Sequence, residues 1–320
     1  MVQKHLVPRS DLGVGETAQR FVRSSKAPRT VRAYRTDVAD FERWCAAAAH
    51  GCSALPAAPE TVADYVADLA VQGRSSATIT RRLSAISQAH QMAQYESPTH
   101  SQIVRITAAG IRRELGTKPR QARPIMADEL RAMIEALPND LRGLRDRALL
   151  LVGFAAALRR SELVALDVAD VVEESEGLAV TIRRSKTDQE GEGRVVGIVR
   201  GGRGPLTDPV AAVRDWRAGA GIAEGPLFRE VDRAGRVGTA RLSDKAVVRI
   251  VKTAAARIGI DPALVSGHSL RAGLATSAAR AGAPERAIMA TTGHRSEAMV
   301  RRYIRQGSKF IESASRYVLL

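Results

Sequence analysis

Cysteine is nearly absent from this 320-residue chain, with only Cys45 and Cys52 present. Two cysteines build neither a disulfide framework nor the ligand set of a structural zinc site, and they fit a reducing cytoplasm. Aromatic residues make up 4% of the chain, so its cores must rest on Ala, Leu, Val and Ile. That composition suits packed helices better than a β-sandwich. No apolar run reaches membrane-spanning length, and the N-terminus carries no signal-peptide pattern, so no membrane role is expected. Internal repeats are missing, and so is a cluster of paired carboxylates of the two-metal kind. Arg200-Gly201-Gly202-Arg203-Gly204 is glycine-rich but opens no obvious helix and lacks the closing Lys-Ser or Lys-Thr of a phosphate loop. No metal and no cofactor are expected.

Arginine is what the chain has in excess. There are 42 Arg against 7 Lys, and basic residues outnumber acidic ones by 49 to 34, a net charge of +15. GC-rich coding accounts for part of the arginine bias. A polyanionic partner accounts for the rest, because planar guanidinium groups suit phosphate. Apolar residues at 45% are enough for real cores, and the length suits two domains.

Helical periodicity begins after Pro28-Arg29-Thr30, where Val31, Tyr34, Val38, Phe41 and Trp44 recur at three- and four-residue steps. Further helices are expected from Pro59 to Gly73, from Ser76 with Ile79, Leu83, Ile86 and Ala89 inward, and over Thr99 to Leu115. Four helices with short loops make a small all-α domain. Two prolines, a glycine and three positive charges in 116–124 read as an extended basic linker. The second half is mixed. Helices are expected over Asp128–Leu137, Leu141–Leu158, Ser243–Ile258, His268–Ala281 and Pro284–Ala290, with short ones near Tyr303 and over Ser308–Val318. Leu178–Ile182 and Arg194–Val199 flank a polar, Gly-containing stretch and predict a β-hairpin. The division is thus a mobile arm over 1–24, a helical domain over 25–116, a linker over 117–125, a mixed domain over 126–306 and a tail over 307–320. The opening Leu6-Val7-Pro8-Arg9-Ser10 partly matches a protease-cleavage tag and is left out of the fold reading.

The polar motifs of the second half are weak one at a time. Arg is so common here that the His268-x-x-Arg271 pair could arise by chance. Lys186 could be a solvated turn lysine, Arg159 a charge answering a helix dipole, and Tyr303 an ordinary half-buried aromatic. Their order is specific. Leu158-Arg159-Arg160-Ser161-Glu162-Leu163 is followed by Arg184-Ser185-Lys186-Thr187-Asp188, then by Gly267-His268-Ser269-Leu270-Arg271-Ala272-Gly273. Thr292-Gly293-His294 comes next, and Tyr303 stands nine residues after His294. This series resembles the catalytic half of tyrosine recombinases of the phage integrase family, and the stretch around His268 and Tyr303 resembles the Cre branch most.

The residue types suit one chemistry. A phosphodiester repels nucleophiles, and attack loads more negative charge onto its non-bridging oxygens. Arg159 and Arg271 would clamp those oxygens with forked, always-charged donors. His294 would add a third donor, and His268 would take or relay the proton of Tyr303, whose phenol titrates near 10 in water. Lys186 would protonate the leaving 5′ oxygen, and Glu162 would orient catalytic side chains or form a plain salt bridge. The rival nucleophile, Tyr317, lacks a Gly-His nine residues upstream.

The resemblance implies a mostly α fold with a small sheet (α+β), arranged as a two-domain C-shaped clamp on double-stranded DNA. It implies a homotetramer at a recombination site with two protomers per duplex, and a terminal helix, with Phe310 and Ile311, that docks on a neighbour. Both halves are basic, with 15 basic and 10 acidic residues through Gly116 and 34 and 24 beyond. Arg32, Arg35, Arg81 and Arg82 in the helical domain are candidate groove and phosphate contacts, and Lys118, Arg120 and Arg123 in the linker would track the backbone. Neutralising about eight phosphates gives a log–log salt slope near −7. The arm is too short for an extra DNA-binding domain, and accessory proteins remain open. The alternatives are a type IB topoisomerase, which would relax one duplex as a monomer, and a non-catalytic DNA-binding protein of the same fold.

Overall fold

A computed structural model describes residues 15–47, 51–116, 122–183, 193–201, 204–294, 296–298, 300–301 and 303. The chain divides into two compact units, Met1–Arg120 and Gln121–Leu320. Five α-helices make up the described part of the first: α1 (Glu16–Ser24), α2 (Pro28–Ala47), α3 (Pro59–Val71), α4 (Ser76–Met92) and α5 (Gln102–Leu115). Helix α1 lies where the sequence showed no period and an arm was expected. The fourth expected helix starts later than Thr99, after a 3-10 turn at Pro98–His100.

Local chemistry sets these ends. Pro59 occupies the first turn of α3, where its missing N–H costs nothing. Gly73, at φ +73°, closes α3 in the left-handed conformation, with Arg74 N–H donating to the Leu69 carbonyl. Ser75 caps α4 by accepting from Thr78 N–H at 3.3 Å. Phe41, Val62, Tyr65, Val66, Leu69, Ile79, Ile86, Val104 and Ile111 are buried together, and Val38 is buried with Ala85 and Ala89. Buried His90 fastens a loop to this core, since its Nε2 accepts from Ala57 N–H and its Nδ1 donates to the Ile86 carbonyl, both at 2.9 Å.

Arg82 corrects a sequence expectation. It shares the inward stripe of α4 with Ile79, Ile86 and Ala89 and is 9% exposed. Its guanidinium meets Asp40, the Tyr65 hydroxyl at 2.5 Å and Asp37 at 3.9 Å, so it is engaged inside the domain and not offered to DNA. Removing one member of a buried ion network leaves the others uncompensated. Arg82→Ala is therefore expected to cost about 3 kcal/mol of stability. Thermal unfolding should show this, and a melting temperature equal to wild type would refute the network's role.

The second unit contains α6 (Ala127–Glu135), α7 (Leu141–Ala155), α8 (Arg160–Ala165), α9 (Pro209–Ala220), α10 (Asp244–Arg257), α11 (Ser269–Arg280) and α12 (Glu285–Thr292). Strands β1 (Val171–Glu173), β2 (Gly177–Ile182) and β3 (Arg194–Val199) form an antiparallel sheet in that order, with Val180 opposite both Val171 and Val196. A second pair joins β4 (Arg229–Val231) to β5 (Val237–Arg241). The hairpin was expected, whereas β1, the β4–β5 pair and α9 were not. Residues 122–125, assigned to the linker, run extended against this unit. Arg123 N–H donates to the Leu264 carbonyl at 2.8 Å, Ile125 N–H to that of Ser269 at 3.1 Å, and Ile125 is fully buried.

Helix α7 is buried almost throughout, as its apolar run from Ala148 predicts. It ends at Ala155, short of the expected Leu158. Ala157 turns into the left-handed region at φ +49°, with Leu158 N–H on the Gly153 carbonyl and Ala157 N–H on that of Phe154. The chain then restarts as α8. Helix α11 lies close against the Ile125 segment, because a Cβ at Gly273 would stand 1.8 Å from the Ile125 carbonyl oxygen. These two helices bring the polar motifs together.

Candidate active site

Arg159 stands at the N-cap of α8 in extended conformation. Glu162, three residues on, accepts from its backbone N–H at 2.9 Å and from its guanidinium at 2.5 Å. Glu162 is 3% exposed, so the carboxylate is committed to these donors and is not a surface ion pair.

His268 precedes α11 as its N-cap, its backbone set by the Ser266 hydroxyl, which accepts from His268 N–H at 3.2 Å. One turn later Arg271 is 1% exposed. Its guanidinium donates to the Ala157 carbonyl at 2.8 Å and to His294 Nε2 at 3.0 Å. The αL turn after α7 thus delivers Arg159 to the site and supplies the carbonyl that holds Arg271. Burial, then the Arg159 charge, pushes Arg271 down to about 10, which leaves it charged at neutral pH.

His294 accepts from an arginine through Nε2, so its proton sits on Nδ1. Burial first, then Arg271 and Arg159, pushes it down to about 4. Its Nδ1 is buried without a hydrogen-bond partner among the described residues. Tyr303 packs among Ala272, Ala275, Ile288 and Val300, with its ring stacked on His294 at 5.7 Å between centroids. Its hydroxyl lies 3.0 Å from His268 Nε2. His268 keeps part of its surface exposed, but the packing around its ring, followed by the Arg271 and Arg159 charges, lowers its pKa. At that distance a neutral imidazole nitrogen can accept a hydrogen bond from the phenol O–H.

Five of the six expected catalytic residues, with Glu162, are therefore gathered in one place. Lys186 lies outside the described residues, as do Lys118, Arg120, Tyr317, Phe310 and Ile311. Among the candidate DNA contacts, Arg32 and Arg35 are exposed on α2, and Arg81 is exposed on α4 although paired with Asp37 at 2.5 Å. Arg123 is tied to Glu129 at the start of α6. A polar groove of about 910 Å³ in the first unit escaped the sequence reading, and Ser84, Gln88, Gln91, Arg105 and Arg112 line it. Arg194, beside Glu162, was also missed. Among the described residues no group of His, Cys, Asp and Glu could hold a metal ion, and no helix is long and apolar enough to cross a membrane.

The model of the Phage integrase family matches residues 123–309, and that of the phage integrase N-terminal SAM-like domain matches 19–97. The chain belongs to the phage integrase family. An integrase/recombinase XerD homolog of Selenomonas ruminantium is 40% identical over 301 residues, covering 93% of this chain and 87% of that one. The recombinase Cre of Escherichia phage P1 is 27% identical over 271 residues, 78% of this chain and 77% of its own. Among solved structures, the XerH recombinase on a palindromic difH substrate shares the fold at a TM-score of 0.68 and 17% identity, over 99% of this chain and 95% of that one. The chain is thus a tyrosine recombinase, an enzyme of site-specific recombination that breaks and rejoins DNA. Cre is among its relatives, at lower identity than the XerD homolog.

Proposed function

We propose that Tyr303 attacks a DNA phosphodiester, leaving a 3′-phosphotyrosine and a free 5′ hydroxyl. The observation that carries this reading is the Tyr303 hydroxyl at 3.0 Å from His268 Nε2, next to the Arg271–His294 pair. His268 takes the phenol proton as the new P–O bond forms. Arg159 and Arg271 meet the non-bridging oxygens, and Glu162 keeps Arg159 aimed. His294 steadies Arg271, and a phosphate oxygen would give its Nδ1–H the acceptor it lacks. Lys186 protonates the leaving 5′ oxygen. The phosphotyrosine keeps the energy of the broken ester, so another 5′ hydroxyl reverses the step without ATP, and no metal takes part.

The substrate is a double-stranded recombination site bound by two protomers and paired into a homotetramer, acting in the cytoplasm on the nucleoid. The net charge of +15 and the polar groove of the first unit, with amides for base edges and arginines for phosphates, support DNA as the partner. So do the relatives solved on DNA, among them a lambda integrase dimer on a COC′ core site.

The test is a denaturant-resistant protein–DNA adduct, formed in EDTA on nicked duplexes drawn from DNA flanking the gene. Peptide mapping should place the nucleotide on Tyr303. A modified Tyr317 would overturn the assignment. The cleavage rate should also depend on pH in one direction. His268 must be neutral to accept a proton, and its lowered pKa keeps it so at pH 7. The rate should therefore hold through neutral pH and at 6.5, the ordinary imidazole value, and fall only in more acid solution. His294 adds a stability effect of the same sign. With a folded pKa of about 4, it binds fewer protons folded than unfolded between 6.5 and 4, so its contribution is present above 6.5 and lost toward 4. A rate that rises on acidification would exclude His268 as the base.

A further inference from the structure

Arg194, the first residue of β3, drew no attention in the sequence, yet its guanidinium touches three parts of the site. One nitrogen donates to the Thr291 carbonyl at 2.7 Å and to that of Ala290 at 3.4 Å. Both carbonyls belong to the last turn of α12, where the helix has no donor of its own to offer. The guanidinium also covers Gly293, where a Cβ would stand 2.9 Å from Nε and 3.1 Å from Cζ. Gly293 sits at φ +64°, so this turn needs glycine both for its backbone and for the arginine lying on it. The remaining nitrogen, buried and without a hydrogen-bond acceptor among the described residues, lies 3.9 Å from Glu162 Oε2.

Those partners already serve other site groups. Glu162 holds Arg159, and the Gly293 turn delivers His294, which accepts from Arg271. β3 is also the strand onto which the 184–192 connection, with Lys186, returns. We infer that Arg194 is a positioning residue for recombination: it fixes the hairpin strand, the Arg159–Glu162 pair and the Gly293–His294 turn against one another, so that both phosphate-binding arginines meet the substrate together. This rests on the reading of Tyr303 and the two arginines given above. Arg194 acts through these groups, because its described partners are backbone carbonyls and a carboxylate that serves another arginine.

A plain structural clamp would make the same contacts but would leave the rate of the folded, DNA-saturated enzyme unchanged. Arg194→Met keeps the stem and removes the fork, whereas Arg194→Lys keeps the charge on a single point donor. DNA affinity and the single-turnover rate of adduct formation at saturating DNA would be measured separately, on a nicked duplex that wild type cleaves. Misplacing reacting groups by about 1 Å costs on the order of 100-fold in rate. The Met variant should show about that loss with affinity within about twofold, and the Lys variant should fall in between.

A Met variant that reacts at the wild-type rate overturns the inference. So does a loss that merely tracks the folded fraction. If the Met variant does not fold, Gly293→Ala carries the test, since its methyl pushes on the same guanidinium. It should slow the adduct, and adding Arg194→Lys should then cost less than in wild type. Strictly additive losses overturn the coupling. Wild-type protein that forms no adduct on any duplex overturns the Tyr303 reading and this inference with it. Wild type that reacts, with variants that match it, overturns this inference alone.

Discussion

Tyr303→Phe should bind DNA as wild type does, fold normally, and form no covalent adduct. The substitution removes one oxygen from a ring whose other contacts persist. The phenyl group keeps its stacking on His294 and its place among Ala272, Ala275, Ile288 and Val300. The hydrogen bond to His268 disappears, at a cost of about 1 kcal/mol. Stability and affinity should therefore move little while the chemistry stops, because a phenyl ring has no nucleophilic atom. Denaturing electrophoresis after incubation with a nicked site reads the result directly. An adduct that survives in the Phe variant would mean another nucleophile.

Arg271→Lys should cost about 1000-fold in adduct formation at saturating DNA, at the upper end of what losing one preorganised oxyanion donor costs. The position looks conservative, since both residues carry a charge, but the geometry is not. Arg271 is 1% exposed and uses separate nitrogens for the Ala157 carbonyl and for His294. An ammonium is a point charge without the planar fork, so it cannot hold both partners and present a face to phosphate. Arg271→Ala is a poorer probe. It would leave a carbonyl and an imidazole nitrogen buried without a donor, at roughly 1–3 kcal/mol each, and would confuse unfolding with lost catalysis. A Lys variant within about tenfold of wild type would remove Arg271 from the transition state.

Helices α2 to α5 of the first unit could be read from the sequence because they are amphipathic, with one face packed and the other wet. The buried α7 was visible as an apolar run, but its end was not, since nothing in Ala155-Ala156-Ala157-Leu158 announces a left-handed alanine. Helix α9 carried readable signals that went unused: Asp208 caps it by accepting from Val210 N–H at 2.9 Å, Pro209 opens it and Gly221 closes it. Strands β1 and β4, at three residues each, are too short to show alternation. Arg82 was misplaced because its residue type outweighed its position. Ile79, Arg82, Ile86 and Ala89 form one helical stripe, so the spacing already pointed inward.

In the active site, ordered spacing named the residues that lie on motifs. It could not name Arg194, whose meaning comes from the start of β3 touching the end of α12, 97 residues away at Thr291. It gave Glu162 two readings, and the burial of its carboxylate favours the orienting one. It made His294 a phosphate donor, but could not show that Arg271 occupies Nε2 and leaves only the Nδ1–H for that role.

The left-handed alanine has a consequence for anyone breeding variants of this enzyme. Ala157 sits where glycine is at ease, a strain of about 1–2 kcal/mol. Glycine there would relieve the strain but would also loosen the unfolded chain by about 0.4–1 kcal/mol, so the two effects largely cancel. A library sorted for heat resistance would pass over the substitution as nearly neutral. The same library sorted for strand exchange would register it, because the peptide that glycine frees carries the carbonyl gripped by Arg271.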